Sequence, residues 1–153
     1  PPPTHGNGRC YVTAGEAIGD LDDDDRVGDE ELIKGKYSQL LQLIPPGQNY
    51  LYFTERGEGP AYFKYRSRYW SFLLKLSPDL PSWTISARPG SNTGPFHWRS
   101  RRLRIPELKR LQTLPDGWSI CGSQASVRQQ IGDAVPSLLA RRIGEQVIKQ
   151  LEG

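Results

Sequence analysis

The stretch RRLRIPELKRLQTLPDGW, residues 101–118, decides much of the fold, together with the later stretch QQIGDAVPSLLARRIGEQVIKQL, residues 129–151. Pro106 suits the first turn of a helix because its fixed φ is already helical. We therefore expect a short helix over Pro106–Gln112. In the second stretch, apolar residues recur at steps of three and four, which predicts an amphipathic final helix over residues 135–151.

Aromatic and basic residues alternate in the middle of the chain. The period of two over Phe63–Arg66 predicts a half-buried strand that places Lys64, Arg66 and Arg68 on one face, where they could meet successive phosphates. An edge strand guarded by charge gives the same pattern. Trp83–Ala87 predicts a second short strand, and Tyr69–Leu76 predicts either a buried strand or a short helix.

Charge is distributed unevenly along the chain. Residues 1–35 hold nine acids and three bases, a net charge of −6, whereas residues 56–110 hold twelve bases and three acids, a net charge of +9. A concentrated basic region is typical of a protein that binds a polyanion such as nucleic acid. A solvated basic face without a ligand would have the same composition. The acidic run Asp22–Asp25 lacks calcium-loop spacing, so it predicts a solvated loop.

Several classes of protein are not expected from the composition. Cys10 and Cys121 lie far apart and, like His5 and His97, match no metal-binding spacing, so we expect no metal. No apolar run approaches the roughly 20 residues of a membrane span, and we expect a cytoplasmic, bacterial protein without a membrane partner. The chain contains no methionine, even at position 1, which indicates a piece of a longer product.

The two opening stretches resemble the last two sequence blocks of the DNA cytosine-5 methyltransferases, R-x-L-T-x-x-E-x-x-R-x-Q-x-F-P-D and Q-x-G-N-A-V-P. Residues that fall in register are, in the first block, Arg102, Leu103, Glu107, Arg110, Gln112, Pro115 and Asp116, and in the second, Gln130, Gly132, Ala134, Val135 and Pro136. The pair Thr84-Ile85 is similar to a Thr-Leu/Ile/Val pair of the family's target-recognition region.

Three positions depart from the family pattern. Arg104 stands where the family usually has a Thr or Ser that would cap the short helix, so we expect that cap to be lost. Leu114 replaces a common Phe, which is a mild change. Asp133 replaces the Asn of Gly-Asn-Ala-Val, which keeps an acceptor and loses an amide donor.

The resemblance implies an α+β fold with a small, irregular, mostly antiparallel recognition region followed by two C-terminal helices. From its composition we expect residues 1–49 to be an acidic, turn-rich connector, in which apolar residues at steps of three and four predict one amphipathic helix over Leu32–Ile44 that Pro45 ends. Residues 50–100 would be the target-recognition, DNA-binding region. Residues 101–153 would hold the C-terminal blocks, which pack on a missing catalytic domain.

The resemblance also implies an activity, namely methyl transfer from S-adenosylmethionine to C5 of a flipped cytosine in a specific DNA sequence, as part of restriction-modification. The family's Pro-Cys nucleophile is absent, because Cys10 follows Arg9 and Cys121 follows Ile120. We therefore expect no catalytic residue in this chain and no activity from the chain alone. The expected partners are double-stranded DNA and an N-terminal catalytic domain or subunit, and the final helix could drive dimerisation in isolation.

The expected site residues fall in two groups. The candidate DNA contacts are Lys64, Arg66, Arg68, Thr84, Ser86, Arg88 and Arg99, and the candidate cofactor contacts are Asp133 and Val135. Two other readings stay open: a stand-alone, non-catalytic nucleic-acid-binding module, and an RNA-directed relative, since the family includes a tRNA branch.

Overall fold

A computed structural model describes His5, Gly8 and residues 10–22 and 27–152. Regular structure in these residues is helical. The five α-helices are α1 (Ala14–Ile18), α2 (Ser38–Leu43), α3 (Ile105–Leu111), α4 (Gln124–Asp133) and α5 (Ser137–Leu151), and 3-10 helices cover Gly19–Leu21 and Tyr50–Phe53. Among the helices of these ranges, none combines the length and the apolar character that crossing a membrane requires.

The predicted strands do not form. Backbone pairing between extended segments in the described ranges is limited to two isolated bridges, an antiparallel one between Phe72 and Thr93 and a parallel one between Lys75 and Phe96. Arg68 and Leu73 adopt left-handed conformations, with φ of 63° and 52°, so the Tyr69–Leu76 segment and the residue just before it cannot form a continuous strand. Residues 50–100 are irregular, as expected, and their one antiparallel and one parallel bridge support the expected α+β, mostly antiparallel fold only loosely.

The helices were predicted more closely. α3 lies within one residue of the helix that Pro106 predicted, and α5 lies where the apolar spacing predicted it, but α4 gives the C-terminal part three helices instead of two. Ser123 caps α4, since its hydroxyl accepts a hydrogen bond from the backbone N–H of Ser126. α2 is shorter than the predicted Leu32–Ile44 and ends before Pro45, as the sequence indicated.

Two hydrophobic cores hold the chain together. The first joins α1, α3 and α4, and its buried members are Ala14, Ile18, Leu76, Ile85, Leu103, Leu108, Val127 and Ile131. The second packs α2 against the 3-10 helix, and its buried members are Leu41, Ile44, Tyr50, Phe53, Leu73 and Phe96. Residues 73–76 connect the cores, because Leu73 belongs to one and Leu76 to the other. The side chain of Lys75, which lies between these two leucines in the sequence, donates a hydrogen bond from its ammonium to the carbonyl of Ile44 at 2.5 Å.

A buried ion pair between Arg101 and Glu107 lies at the start of α3. Arg101 is 2% exposed and Glu107 is fully buried. The Arg101 guanidinium donates two hydrogen bonds to the Glu107 carboxylate, at 2.9 and 2.6 Å. Glu107 also accepts the backbone N–H of Arg104 at 2.7 Å, and this bond compensates in part for the missing cap on α3. The pair therefore fixes the start of α3 to the chain that precedes it.

Asp22 belongs to the same cluster. Its carboxylate accepts from Arg101 at 3.3 Å and forms an ion pair with Arg99 at 2.9 Å, and its side chain is only 8% exposed. The expectation of a solvated acidic loop was therefore wrong at this residue, and Asp23–Asp25 lie outside the described residues. The reason is that the buried Arg101 guanidinium and the adjacent Arg99 guanidinium compensate the charge of this carboxylate.

His97 is the titratable member of the cluster. Its Nδ1 accepts the backbone N–H of Arg99 at 3.1 Å, which places the proton of the neutral ring on Nε2. Nε2 lies 3.7 Å from both Asp22 and Glu107 and has no hydrogen-bond partner among the described residues. Burial, reinforced by the positive charge of Arg101, lowers the pKa of His97 to about 3. The histidine is therefore neutral in the folded protein near pH 7.

We predict that Glu107→Gln destabilises the protein by about 3–5 kcal/mol, because it removes the fully buried carboxylate that pairs most closely with the buried Arg101 charge and leaves the more distant Asp22, at 3.3 Å, in its place. Urea unfolding measures this change. Glu145→Gln is the matched control, since Glu145 pairs with Arg141 at 2.8 Å on the exposed surface of α5. Equal effects of the two substitutions would show that the buried pair does not organise the fold.

His97 should also make stability depend on pH. Unfolded histidine titrates near 6.5 and folded His97 near 3, so between these values the unfolded state binds a proton that the folded state does not. The free energy of unfolding should then fall as pH falls from 6.5, by at most about 1.4 kcal/mol per pH unit. His97→Asn keeps an acceptor and cannot titrate, so its pH dependence between 6 and 4 should be shallower. Parallel curves for the two proteins would mean that folded His97 is already protonated.

Candidate nucleic-acid interface

Much of the basic surplus is neutralised inside the protein. Arginines of residues 99–110 form ion pairs with acids of residues 20–31: Arg99 and Arg101 with Asp22, Arg104 with Glu31, and Arg110 with Asp20. Arg99, a candidate DNA contact, is therefore held by a carboxylate. The opposite charges of residues 20–31 and residues 99–110 therefore serve partly to join these two segments.

Four candidate cations remain at the surface. Lys64, Arg66, Arg68 and Arg88 are exposed, and none of them forms an ion pair with another described residue. The predicted strand would have placed the first three on one face. Instead, the turn at Arg68 separates its side chain from the cleft that Lys64 and Arg66 share.

That cleft, which we call the aromatic cleft, has a volume of about 440 Å³. Its lining residues are Tyr37, Tyr50, Tyr62, Phe63, Lys64, Arg66, Tyr69, Phe72 and Asn92. The hydroxyl of Tyr50 donates to the carbonyl of Arg66 at 2.7 Å and accepts its N–H at 3.1 Å. The Arg66 guanidinium lies 5.8 Å from the Tyr69 ring centre. These two hydrogen bonds fix the position of the Arg66 backbone, and this position limits the region that the Arg66 guanidinium can occupy.

The Thr84–Arg88 segment is anchored by Ile85. Ile85 is buried in the first core, whereas Thr84 and Arg88 are exposed and Ser86 is half-buried. The side chain of Thr84 is therefore free to meet a ligand, and that of Ser86 is only partly so. In the family-like Thr-Ile pair, Thr84 thus exposes a polar side chain to solvent while Ile85 packs in the first core.

Gly132 brings this segment against the end of α4. A Cβ at Gly132 would lie 2.4 Å from Ala87 Cα and 2.5 Å from Ala87 N, far inside normal contact distance. The candidate DNA contact Ser86 and the candidate cofactor contact Asp133 therefore flank one close crossing of two backbones. Neither sequence stretch alone indicates this contact.

Gln112 holds the turn that carries the candidate cofactor contacts. Its side-chain amide donates to the carbonyls of Ile131 and Ala134 at 2.9 and 2.7 Å, which satisfies two acceptors at the end of α4. Asp133 and Val135 are both exposed on this turn.

In the described ranges, no group of three or more His, Cys, Asp or Glu side chains is arranged to hold a metal ion.

α5 has an exposed apolar face and no buried residue. The large apolar side chains exposed on it are Leu138, Leu139, Ile143, Val147, Ile148 and Leu151. Its first turn is held by Ser137, whose hydroxyl donates to the carbonyl of Thr113, while the N–H of Leu138 donates to the Thr113 hydroxyl. The helix is attached at one end, and its apolar stripe has no cover within the described chain.

Sequence reasoning assigned the wrong arginine to the first block. Arg102 was placed in register, but Arg101 is the residue that forms the buried pair with Glu107, while Arg102 is half-buried. The spacing R-x-L before Leu103 points to Arg101, so the signal was present in the motif itself. His97 carried no such signal, because its partners are distant in sequence.

We predict that Gly132→Ala lowers the thermal midpoint, because the added methyl must displace backbone atoms of Ala87. Gly144→Ala in α5 is the matched control, since a Cβ there would meet nothing within 4 Å. Both glycines are helical, so alanine brings each a similar gain in helix propensity of about 1 kcal/mol. The control should be neutral or stabilising, and a stabilising Gly132→Ala would contradict the close crossing.

Comparison with known proteins identifies the family. Residues 11–149 match the family model described as C-5 cytosine-specific DNA methylase. The chain is 42% identical over 151 residues to type II methyltransferase M.SacI of Streptomyces achromogenes, an alignment that covers 92% of this chain and 38% of that protein. It is 36% identical over 150 residues to type II methyltransferase M.BbvI of Brevibacillus brevis, with 97% and 39% covered.

A third relative is the DNA (cytosine-5-)-methyltransferase M.ApeKI of Aeropyrum pernix, 34% identical over 117 residues, with 74% of this chain and 24% of that protein covered. The chain thus spans about two fifths of the length of the first two relatives. The match includes both C-terminal blocks and the aromatic, basic middle. This chain belongs to the family of C-5 cytosine-specific DNA methylases.

Proposed function

We propose that these residues are the DNA-recognition and C-terminal portion of a DNA (cytosine-5)-methyltransferase of a restriction-modification system. The observation that carries the proposal is the match of residues 11–149 to the family, over a length that is only part of its relatives. The geometry supports it, because the family-like residues Arg110, Gln112 and Gly132 hold the α3–α4 unit against its neighbours.

In this proposal the chemistry is divided between two parts of the protein. Methylation at C5 requires a nucleophile that adds to the cytosine ring, which the family supplies from a Pro-Cys pair. Cys10 and Cys121 are both exposed and neither follows a proline, so neither fits that role. A catalytic domain or subunit must therefore supply the nucleophile, and this chain contributes DNA contacts and part of the cofactor side.

The exposed cations would hold the duplex. Lys64, Arg66, Arg68 and Arg88 are available for phosphate or base contacts because no described carboxylate neutralises them. Thr84 and Ser86 would contact the DNA beside them. We leave Arg99 out of the set of direct contacts, since its guanidinium is already held by Asp22.

The turn after α4 suits the cationic part of S-adenosylmethionine, which supplies the methyl group. Asp133 offers a carboxylate acceptor at the negative end of the helix, and Val135 offers exposed apolar surface. The Asp133 carboxylate accepts one long hydrogen bond, at 3.4 Å, from the Gln129 amide, so this contact leaves most of its hydrogen-bonding capacity for a ligand. These two residues would form one edge of a cofactor site whose remainder lies in the catalytic part.

The apolar stripe of α5 would pack on that catalytic part. The share of the relatives' length that this chain does not match is large enough to supply a complete domain. If the chain is isolated, a second copy could cover the stripe instead.

A stand-alone nucleic-acid-binding module is the second candidate. The unneutralised cations around the aromatic cleft favour it, since they would bind DNA without any catalytic part. The two candidates differ in whether the protein that carries this chain transfers a methyl group.

The decisive experiment is transfer of tritiated methyl from S-adenosylmethionine to mixed-sequence duplex DNA by the complete protein that carries these residues. We expect methylation of cytosine. Arg66→Ala and Arg88→Ala should each weaken duplex binding and lower the slope of log affinity against log salt by about one unit, because one phosphate contact is lost.

Arg141→Ala is the control for these substitutions. It removes the same charge from the polar face of α5, where Arg141 pairs with Glu145, and should leave DNA affinity unchanged. Salt-sensitive DNA binding without methyl transfer would favour the binding module. Unchanged affinity of Arg66→Ala and Arg88→Ala would show that DNA is held elsewhere.

A further inference from the structure

The walls of the aromatic cleft are formed by aromatic rings that pack tightly against one another. Its rings pack edge to face, with centroids 5.4 Å apart for Tyr37 and Phe63, 5.7 Å for Phe63 and Phe72, and 6.0 Å for Tyr50 and Tyr69. Such an interlocked set fixes each ring against the next. The walls are therefore organised before any ligand enters.

The rim of the cleft presents flat apolar surface to solvent. Tyr62 is 59% exposed and Tyr69 is 46% exposed, although both belong to the same aromatic cluster. Exposed aromatic faces beside cations are the usual platform for unstacked nucleobases, because every base has a π face. Asn92 adds an amide whose buried oxygen has no hydrogen-bond partner among the described residues.

Charge selects among the ligands that an aromatic cleft could take. Lys64 and Arg66 line the cleft, and no described acid neutralises them or lines it with them. The lining therefore favours an anion with an aromatic part over a purely apolar peptide or lipid chain. The volume of about 440 Å³ lies within the range of small-molecule sites, about 300–1,000 Å³, and suits one nucleotide.

We propose that the aromatic cleft binds one nucleotide of the DNA strand, with its base unstacked from the duplex against Tyr62 and Tyr69 and its phosphate at Lys64 and Arg66. This inference rests on the proposed function, because it takes DNA as the ligand. The cleft is separate from the Gly132 crossing, since none of its lining residues belongs to Thr84–Arg88 or to α4. It would capture a base at a place other than the turn that holds the candidate cofactor contacts.

The test compares two duplexes that differ by one base. One carries a single unpaired adenine, and the other carries an abasic residue at the same position. In the complete protein, the affinity for the first should exceed that for the second by about 5- to 150-fold, the ratio expected from stacking one base on aromatic side chains. Fluorescence anisotropy of the labelled duplexes measures both affinities.

Matched variants assign that ratio to the cleft. The double substitution Tyr62→Leu with Tyr69→Leu should bring the ratio close to one, whereas Tyr62→Phe with Tyr69→Phe should keep it, because the rings remain. Arg68→Gln, outside the cleft, should weaken binding to both duplexes alike and leave the ratio unchanged. The phenylalanine pair also shows whether the cluster still folds when the hydroxyls are removed.

Several results would overturn the proposal. A ratio near one in the unaltered protein, together with salt-sensitive duplex binding, would remove the nucleotide site and leave the proposed function standing. A ratio that survives the leucine pair would place base capture elsewhere. Displacement of the bulged duplex by micromolar deoxyadenosine monophosphate would assign the cleft to a free nucleotide. No DNA binding at all would instead remove the proposed function itself.

Discussion

The buried pair between Arg101 and Glu107 is the constraint on which the rest of the structure depends. It sits at the start of α3, and Asp22 reaches the same guanidinium from the N-terminal part of the chain. α3 in turn carries Gln112, which holds the end of α4. Removing one partner of a buried ion pair lowers the free energy of unfolding by far more than the intact pair contributes to it, because the other charge stays buried. The positions of α1, α3 and α4 thus share one electrostatic anchor.

Charge has two separate jobs in this protein. Arginines that follow residue 98 neutralise acids near the N-terminus, and several of those groups are withdrawn from water. Lys64, Arg66, Arg68 and Arg88 are exposed instead and form no ion pair with another described residue, whereas Lys75 is buried. A net charge summed over a segment counts both kinds alike, although only the second kind can contribute to binding a polyanion. Burial and pairing are needed to tell them apart.

The sequence predicted local features better than distant ones. Pro45 and Pro106 marked helix boundaries correctly, because proline acts through its own backbone. The predicted strand over Phe63–Arg66 was wrong because Phe63 packs in a cluster of rings and not on a pleated surface. Asp22 and His97 meet only through folding across more than 70 residues, so no local pattern could have paired them.

The contact at Gly132 has a consequence for engineering. Backbone meets backbone there with no side chain between, so no rotamer change can absorb a misfit. A segment transplanted from a relative into this place would have to reproduce the backbone path of Ser86 and Ala87 closely, while residues farther from the crossing could differ in length and composition. The useful boundaries for chimaeras with relatives therefore lie outside this segment, and a relative that lacks a glycine at position 132 would be the first incompatible partner.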